Sequence, residues 1–258
     1  KGAGATPPGW KRMLRLARRG NTRRDRDIRE ETMARAYHPG RRNVLAGLAL
    51  SAAAPGFARA DAPLRIGVLN DQSSVFADST GLGSVLSAHM AAEDFGGRVG
   101  GRPIDIIAAD HQNKPDVGIA IARDWFDQNG VSAIADLGNS AVALAVADIA
   151  RQKNKVVLIS AGGTMALTGT QCSPNIVHWT YDTWSNASTL VRVLMARGDN
   201  TWFFITADYT FGHNLQDEAT KILHKAGAKV VGAALHPINN ADFSAALLQA
   251  QASGAKVI

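Results

Sequence analysis

Residues 131–160 read VSAIADLGNSAVALAVADIARQKNKVVLIS. Val131–Asp136 and Val156–Ser160 are apolar runs of strand length, and Ser140–Lys153 between them is long enough for a helix. Two strands joined through a helix are parallel neighbours, so this unit predicts a parallel sheet covered by helices. The same alternation runs outward in both directions. Towards the N-terminus come strands at 64–69 and 103–109 and helices at 81–95 and 115–129. The first helix carries Leu82, Val85, Leu86, His89 and Met90 at helical spacing, and Gly96-Gly97 closes it. Pro115 opens the second, where a missing N–H costs nothing. The glycine-rich 96–101 follows a helix rather than a strand, so it reads as a loop and not as a phosphate cradle.

Towards the C-terminus come strands at 176–179, 202–206 and 230–235, and helices at 186–197 and 212–226. Asp242-Phe243-Ser244 opens a further helix, and 255–258 starts another strand. A division at 179–183 separates one four- or five-stranded unit from the start of a second. The chain stops inside a strand signal, which leads us to expect that its natural length continues.

In parallel α/β sheets, ligands bind beyond the carboxyl ends of the strands. Those ends carry Asn70 to Thr80, Asp136 to Ser140, Ser160 to Met165 and Ala207 to Gly212. Asn139 or Ser140 suits a helix N-cap, and the same position can turn backbone N–H groups toward a carboxylate. Gly162 and Gly163 let the backbone approach a guest closely, with Ser160 and Thr164 hydroxyls on either side. Phe76 and Phe211 are apolar residues on polar loops, placed either to meet a ligand or to fold back onto the core.

Residues 1–60 have a different character. They hold 14 of the 28 Lys/Arg but 4 of the 22 Asp/Glu, which leaves 14 basic against 18 acidic residues in the body. The net charge of +6 therefore belongs to the head. A nucleic-acid reader carries its basic patch on the folded domain, so this mildly acidic body argues against one. Residues 1–32 read as disorder or as sequence upstream of the true start. Residues 33–60 read as an export signal: Met33, then Arg35, Arg41 and Arg42, an apolar run from Val44 to Ala54, and Ala58-Arg59-Ala60 as a cleavage site. The run is shorter than the about 20 residues that span a bilayer. Arg41-Arg42 suits either a twin-arginine or an ordinary signal, and the mature chain is expected to begin near Asp61.

Enzymatic signals are weak. There is no G-x-S-x-G elbow, no H-E-x-x-H and no Walker motif. The single cysteine, Cys172, supports neither an intramolecular disulfide nor a Cys-rich zinc site. No cofactor or metal is expected.

An ordered series then carries a family resemblance. It runs through Ile66-Gly67-Val68-Leu69, Glu93-Asp94-Phe95-Gly96-Gly97, Gly101-Arg102-Pro103-Ile104 and Ala109-Asp110-His111-Gln112. It continues with Lys114-Pro115-Asp116, Gly138-Asn139-Ser140, Ile159 to Thr164, Asp208 to Gly212 and Ala241 to Ser244. From Leu64 to Ile258 the body resembles the branched-chain amino acid type of periplasmic binding protein, the extracellular ligand-binding receptor family. The resemblance implies an α/β, type I periplasmic-binding-protein fold: two Rossmann-like lobes with parallel sheets, at 61–180 and 183–258, the C-terminal part missing. It implies a non-catalytic, periplasmic solute-binding component of an ABC-type uptake system. Its partners would be a small polar organic ligand (amino acid, aromatic carboxylate or amide) and a permease in the inner membrane. A ligand-sensing domain of a signalling receptor is the alternative. Carried over by motif, the ligand-binding positions are Asn139, Ser140, Ser160, Ala161, Gly162, Gly163 and Thr164, with Phe76 and Phe211 as aromatic contacts. Tyr209 would join them on closure, and further contacts would come from beyond Ile258.

Overall fold

A computed structural model describes residues 62–258. The arginine-rich 1–32, the export signal 33–60 and the expected mature start at Asp61 lie outside the described residues.

The strands fall into two sheets. In the larger, β1 (Leu64–Asn70), β3 (Arg102–Asp110), β4 (Val131–Asp136), β5 (Val156–Ile159) and β6 (Ile176–His178) are parallel neighbours in the order β3-β1-β4-β5-β6. The two-residue β2 (Arg98–Val99) adds antiparallel to β3. Residues 96–101, read as a loop, thus form a short hairpin, with Gly96, Gly97, Gly100 and Gly101 all at positive φ. The smaller sheet pairs β7 (Thr201–Ala207) with β8 (Lys229–His236), again parallel. The expected strand at 255–258 is only a bridge between Val257 and Trp202.

Six helices connect these strands: α1 (Gly81–Asp94), α2 (Pro115–Asp127), α3 (Ser140–Gln152), α4 (Thr183–Ala196), α5 (Thr210–Lys225) and α6 (Ser244–Ser253). Helix α4 begins three residues before its expected start. Asp182 accepts from Ser185 N (2.6 Å), and the Ser185 hydroxyl accepts from Asp182 N (3.1 Å). That reciprocal capping box fixes the start of the helix just after the segment that joins the two sheets.

Burial follows the same division. One core packs Trp125 and Phe126 of α2 and Val142, Val146 and Ile149 of α3 on Leu69, Ile134, Val157 and Ile159 of the strands. A second gathers Ala187, Val191, Trp202, Ala219 and Leu223. Helix α1 contributes to neither. Of the apolar residues at helical spacing along it, Leu82, Leu86 and Met90 are 67%, 58% and 54% exposed.

Gly67 shows how tightly the first core is set. A Cβ there would lie 2.2 Å from the Trp125 ring. The indole therefore packs flat on the glycine at the centre of β1. Gly67→Ala forces Trp125 off its seat and should destabilise the fold by roughly 1–3 kcal/mol, the cost of overpacking a core. Urea unfolding of the two chains side by side checks this, with unchanged stability as the contrary result.

Candidate functional site

The adjacent strands β1, β4 and β5 end together, and buried polar side chains tie their ends. Asn70 Nδ2 donates to Asp136 Oδ2 (3.0 Å) and to Gly81 O (2.7 Å). Asp136 Oδ1 accepts from the Ser160 hydroxyl (3.0 Å). Asp136 and Leu137 hold φ at +82° and +57°, a region that non-glycine residues rarely enter. Leu137 N donates to Leu69 O (3.1 Å), which helps hold the turn. This conformation swings Gly138, Asn139 and Ser140 out over the strand ends.

Asp71 organises the neighbouring loop. Its carboxylate accepts from Ser74 N (2.9 Å), the Ser74 hydroxyl (2.5 Å) and Phe76 N (2.9 Å). Burial pushes this carboxyl up, but the hydrogen bonds from Ser74, Phe76 and Ser73 outweigh it and hold it below its ordinary value.

These turns enclose a cavity of about 270 Å³. Phe76, Ser79 and Thr80 line it from the first loop, and Gly138 and Ser140 from the start of α3. Ser160, Ala161 and Gly163 form a third side. Tyr181, Tyr209 and Phe211 close it from the segments that lead into α4 and α5. The rings form a chain: Phe76 to Tyr209 at 6.1 Å between centroids, Tyr209 to Phe211 at 6.1 Å, and Phe211 to Tyr181 at 6.3 Å edge-on. Such spacings lie within the range of favourable aromatic pairs. Burial, with Tyr181 close by, pushes the Tyr209 phenol up, so it stays a neutral donor. The Ser140 Oγ is buried without a hydrogen-bond partner. A larger apolar hollow of about 510 Å³ lies beside β7 and between α4 and α5. It shares Tyr209 and Phe211 with the smaller cavity, but no loop of the larger sheet lines it.

Phe76, Ser140, Ser160, Ala161, Gly163, Tyr209 and Phe211 line this one cavity. Asn139, Gly162 and Thr164 do not line the cavity. Asn139 caps α3, accepting from Ala141 N (2.8 Å) and Val142 N (3.2 Å), and so occupies N–H groups that a ligand would otherwise meet. Gly162 turns inward, where a Cβ would lie 2.7 Å from Leu137 O. Thr164 is fully buried, and its hydroxyl bonds to Asn214. Gly163 is required for contact: a Cβ there would lie 2.7 Å from the Phe211 ring and 2.9 Å from Tyr181. Ser79, Thr80 and Gly138, on loops expected at the strand ends, also line the cavity, and so does Tyr181, which sequence reasoning did not single out. Tyr181 lies in the dividing segment, and only folding turns it toward Gly163. Among the described residues no cluster of three or more metal-ligating side chains occurs.

The periplasmic binding protein family model matches residues 63–258. The chain belongs to the periplasmic binding protein family. Its architecture is the type I periplasmic-binding-protein fold. A periplasmic binding protein from Burkholderia mallei is 40% identical over 76% of this chain and 52% of that one, with a TM-score of 0.73. A branched chain amino acid ABC transporter periplasmic ligand-binding protein from Burkholderia xenovorans is 39% identical over 75% and 52%, with a TM-score of 0.63. The fold of an R. palustris solute binding protein in complex with 4-hydroxybenzoate also matches, at 23% identity, 76% and 52% coverage and a TM-score of 0.67. The chain spans about half the length of these solved structures. A comparison with curated proteins found no match.

His111, whose N–H donates to Asn70 O (2.9 Å) at the end of β1, is fully buried. Its Nδ1 accepts from Asn113 N (3.0 Å), while Nε2 has no partner. Burial holds the imidazole below its ordinary value, against the pull of Asp71, Asp110 and Asp136. The unfolded chain takes up a proton on this histidine near pH 6.5, whereas the folded chain resists it to lower pH. Stability from this group is thus complete above about pH 6.5 and falls as the pH drops below it. Urea midpoints between pH 7.5 and 5 should fall less steeply in His111→Phe than in the unsubstituted chain. Equal slopes would remove His111 from the account.

Proposed function

We propose that this chain is the solute-binding component of an ABC-type uptake system. It captures a small polar organic molecule between two lobes, residues 61–180 and 183–258, and presents it to a membrane permease without chemical change. The export signal read in 33–60 and the periplasmic family agree on a periplasmic location; the twin-arginine pair suggests one route there. The observation that carries the reading is the Ser140 hydroxyl, buried and unpartnered at a cavity walled by four aromatic rings. A buried hydroxyl without a partner is costly, and a ligand acceptor placed there satisfies it.

The cavity also favours one member of the candidate set. Its lining carries no charged side chain. A free amino acid brings two charges, an ammonium and a carboxylate, to walls without a counter-charge, whereas an aromatic acid brings one. An aromatic carboxylate brings a flat ring for Phe76, Tyr181, Tyr209 and Phe211 and oxygens for the hydroxyls. Two R. palustris solute binding proteins of this fold are in complex with 4-hydroxybenzoate and with benzoate.

A thermal-shift screen on the full-length chain tests the proposal with benzoate, 4-hydroxybenzoate, leucine, urea and acetamide. A ligand raises the melting temperature by mass action, and we expect the benzoates to do so most. Calorimetry with the best of them should weaken by about ten-fold or more in Ser140→Ala, the scale of a hydrogen bond to a charged group. No shift with any compound, or full affinity without the Ser140 hydroxyl, would sink the assignment.

A further inference from the structure

The loop that carries Gly163 is tied on both sides to the second lobe, through Thr183 and Asn214, neither of which lines the ligand cavity. On one side Gly163 O accepts from Thr183 N (2.8 Å), and Met165 N donates to Thr183 Oγ1 (3.1 Å). Thr183 is fully buried at the head of α4, next to the segment where the chain crosses between lobes. On the other side the Phe211 ring covers Gly163, and the Thr164 hydroxyl donates to Asn214 Oδ1 (2.5 Å). Phe211 and Asn214 are three residues apart on α5 and so share one helix face. Consecutive loop residues, Gly163 and Thr164, therefore meet that one face.

The hydrogen-bond capacity of Thr164 is decisive. A hydroxyl has one proton to give. Thr164 gives it to Asn214 and accepts from Ala166 N (3.2 Å). It has no donor left for a solute, although its place in the motif is that of a ligand contact. Asn214 does not line the cavity.

We propose that Thr164 and Asn214 form an interlobe latch. It stabilises the closed arrangement and sets ligand affinity from outside the binding cavity. Thr183 holds the loop at the crossing, where a hinge moves least, while the Asn214 bond makes and breaks as α5 approaches. Apparent affinity scales with the fraction of molecules already in the binding-competent arrangement. A latch that raises this fraction strengthens binding of every solute alike, whereas a cavity residue discriminates between solutes. This inference rests on the two-lobed reading above but not on the identity of the ligand.

The test needs no ligand. Spin labels placed through Gln128→Cys and Lys225→Cys, in a Cys172→Ser background, report the distance between the lobes of the full-length chain. Asn214→Leu removes the acceptor at similar size and should reduce the ratio of short-distance to long-distance molecules about five-fold, the scale of one net hydrogen bond. Asn214→Asp retains an acceptor and Thr164→Ser retains the hydroxyl, so both should keep the unsubstituted distribution. Thermal unfolding checks that each chain is folded; where Asn214→Leu is not, Asn214→Ala is read in its place. The latch is overturned if the acceptor-free chain gives the unsubstituted distribution, or if Asn214→Asp loses as much closure as Asn214→Leu. Failure of the ligand screen would leave this measurement untouched.

Discussion

The hydrogen bonds among Asn70, Asp136 and Ser160 bind the ends of three adjacent strands into one rigid edge. They bridge β1, β4 and β5 at the point where each chain segment leaves the sheet. With the Leu137 N to Leu69 O bond, they hold Asp136 and Leu137 at positive φ, a conformation that costs about 1–3 kcal/mol per residue where the surroundings do not impose it. The turn that follows places Ser140 at the cavity, and the same Asn70 amide anchors the backbone at Gly81. A polar site is thus built on a polar support. Apolar packing alone would align the strands but would not fix the direction in which their loops depart.

Closeness of approach is the second organising feature. Gly67, Gly162 and Gly163 are each a place where a single added carbon would collide, with Trp125, with the Leu137 carbonyl, and with Phe211 and Tyr181 respectively. The first serves the core, the second seats one binding loop on another, and the third admits aromatic rings to the cavity wall. Side chains are absent at these positions because something else already occupies the space. The loop from Ser160 to Met165 accordingly carries several tasks within a few residues: support of Asp136, a lining backbone, and attachment to α4 and α5.

This crowding explains why the site was only partly legible beforehand. Phe76 and Phe211, apolar side chains on polar loops that could meet a ligand or fold onto the core, lie at the cavity. Residues with several possible partners did not resolve. Asn139 could cap a helix or meet a solute, and the helix took it. Thr164 offered a hydroxyl in the expected motif, and Asn214, fifty residues later in the chain, took its proton. Tyr181 gave no pattern at all, since its surroundings are assembled from separate strands and loops.

The sequence by itself determined the class of fold and the order of its elements. Alternating apolar strands and helices fix a parallel sheet through local propensity and connection length, and these are properties of neighbouring residues. It also placed the candidate loops at the carboxyl ends of the strands, because topology alone requires that. Only the tertiary structure decided which hydroxyls remained free. Hydrogen-bond capacity is exhausted by whichever partner arrives in space: Thr164 meets Asn214 from a distant segment while Ser140 Oγ meets none, and no local pattern encodes either outcome.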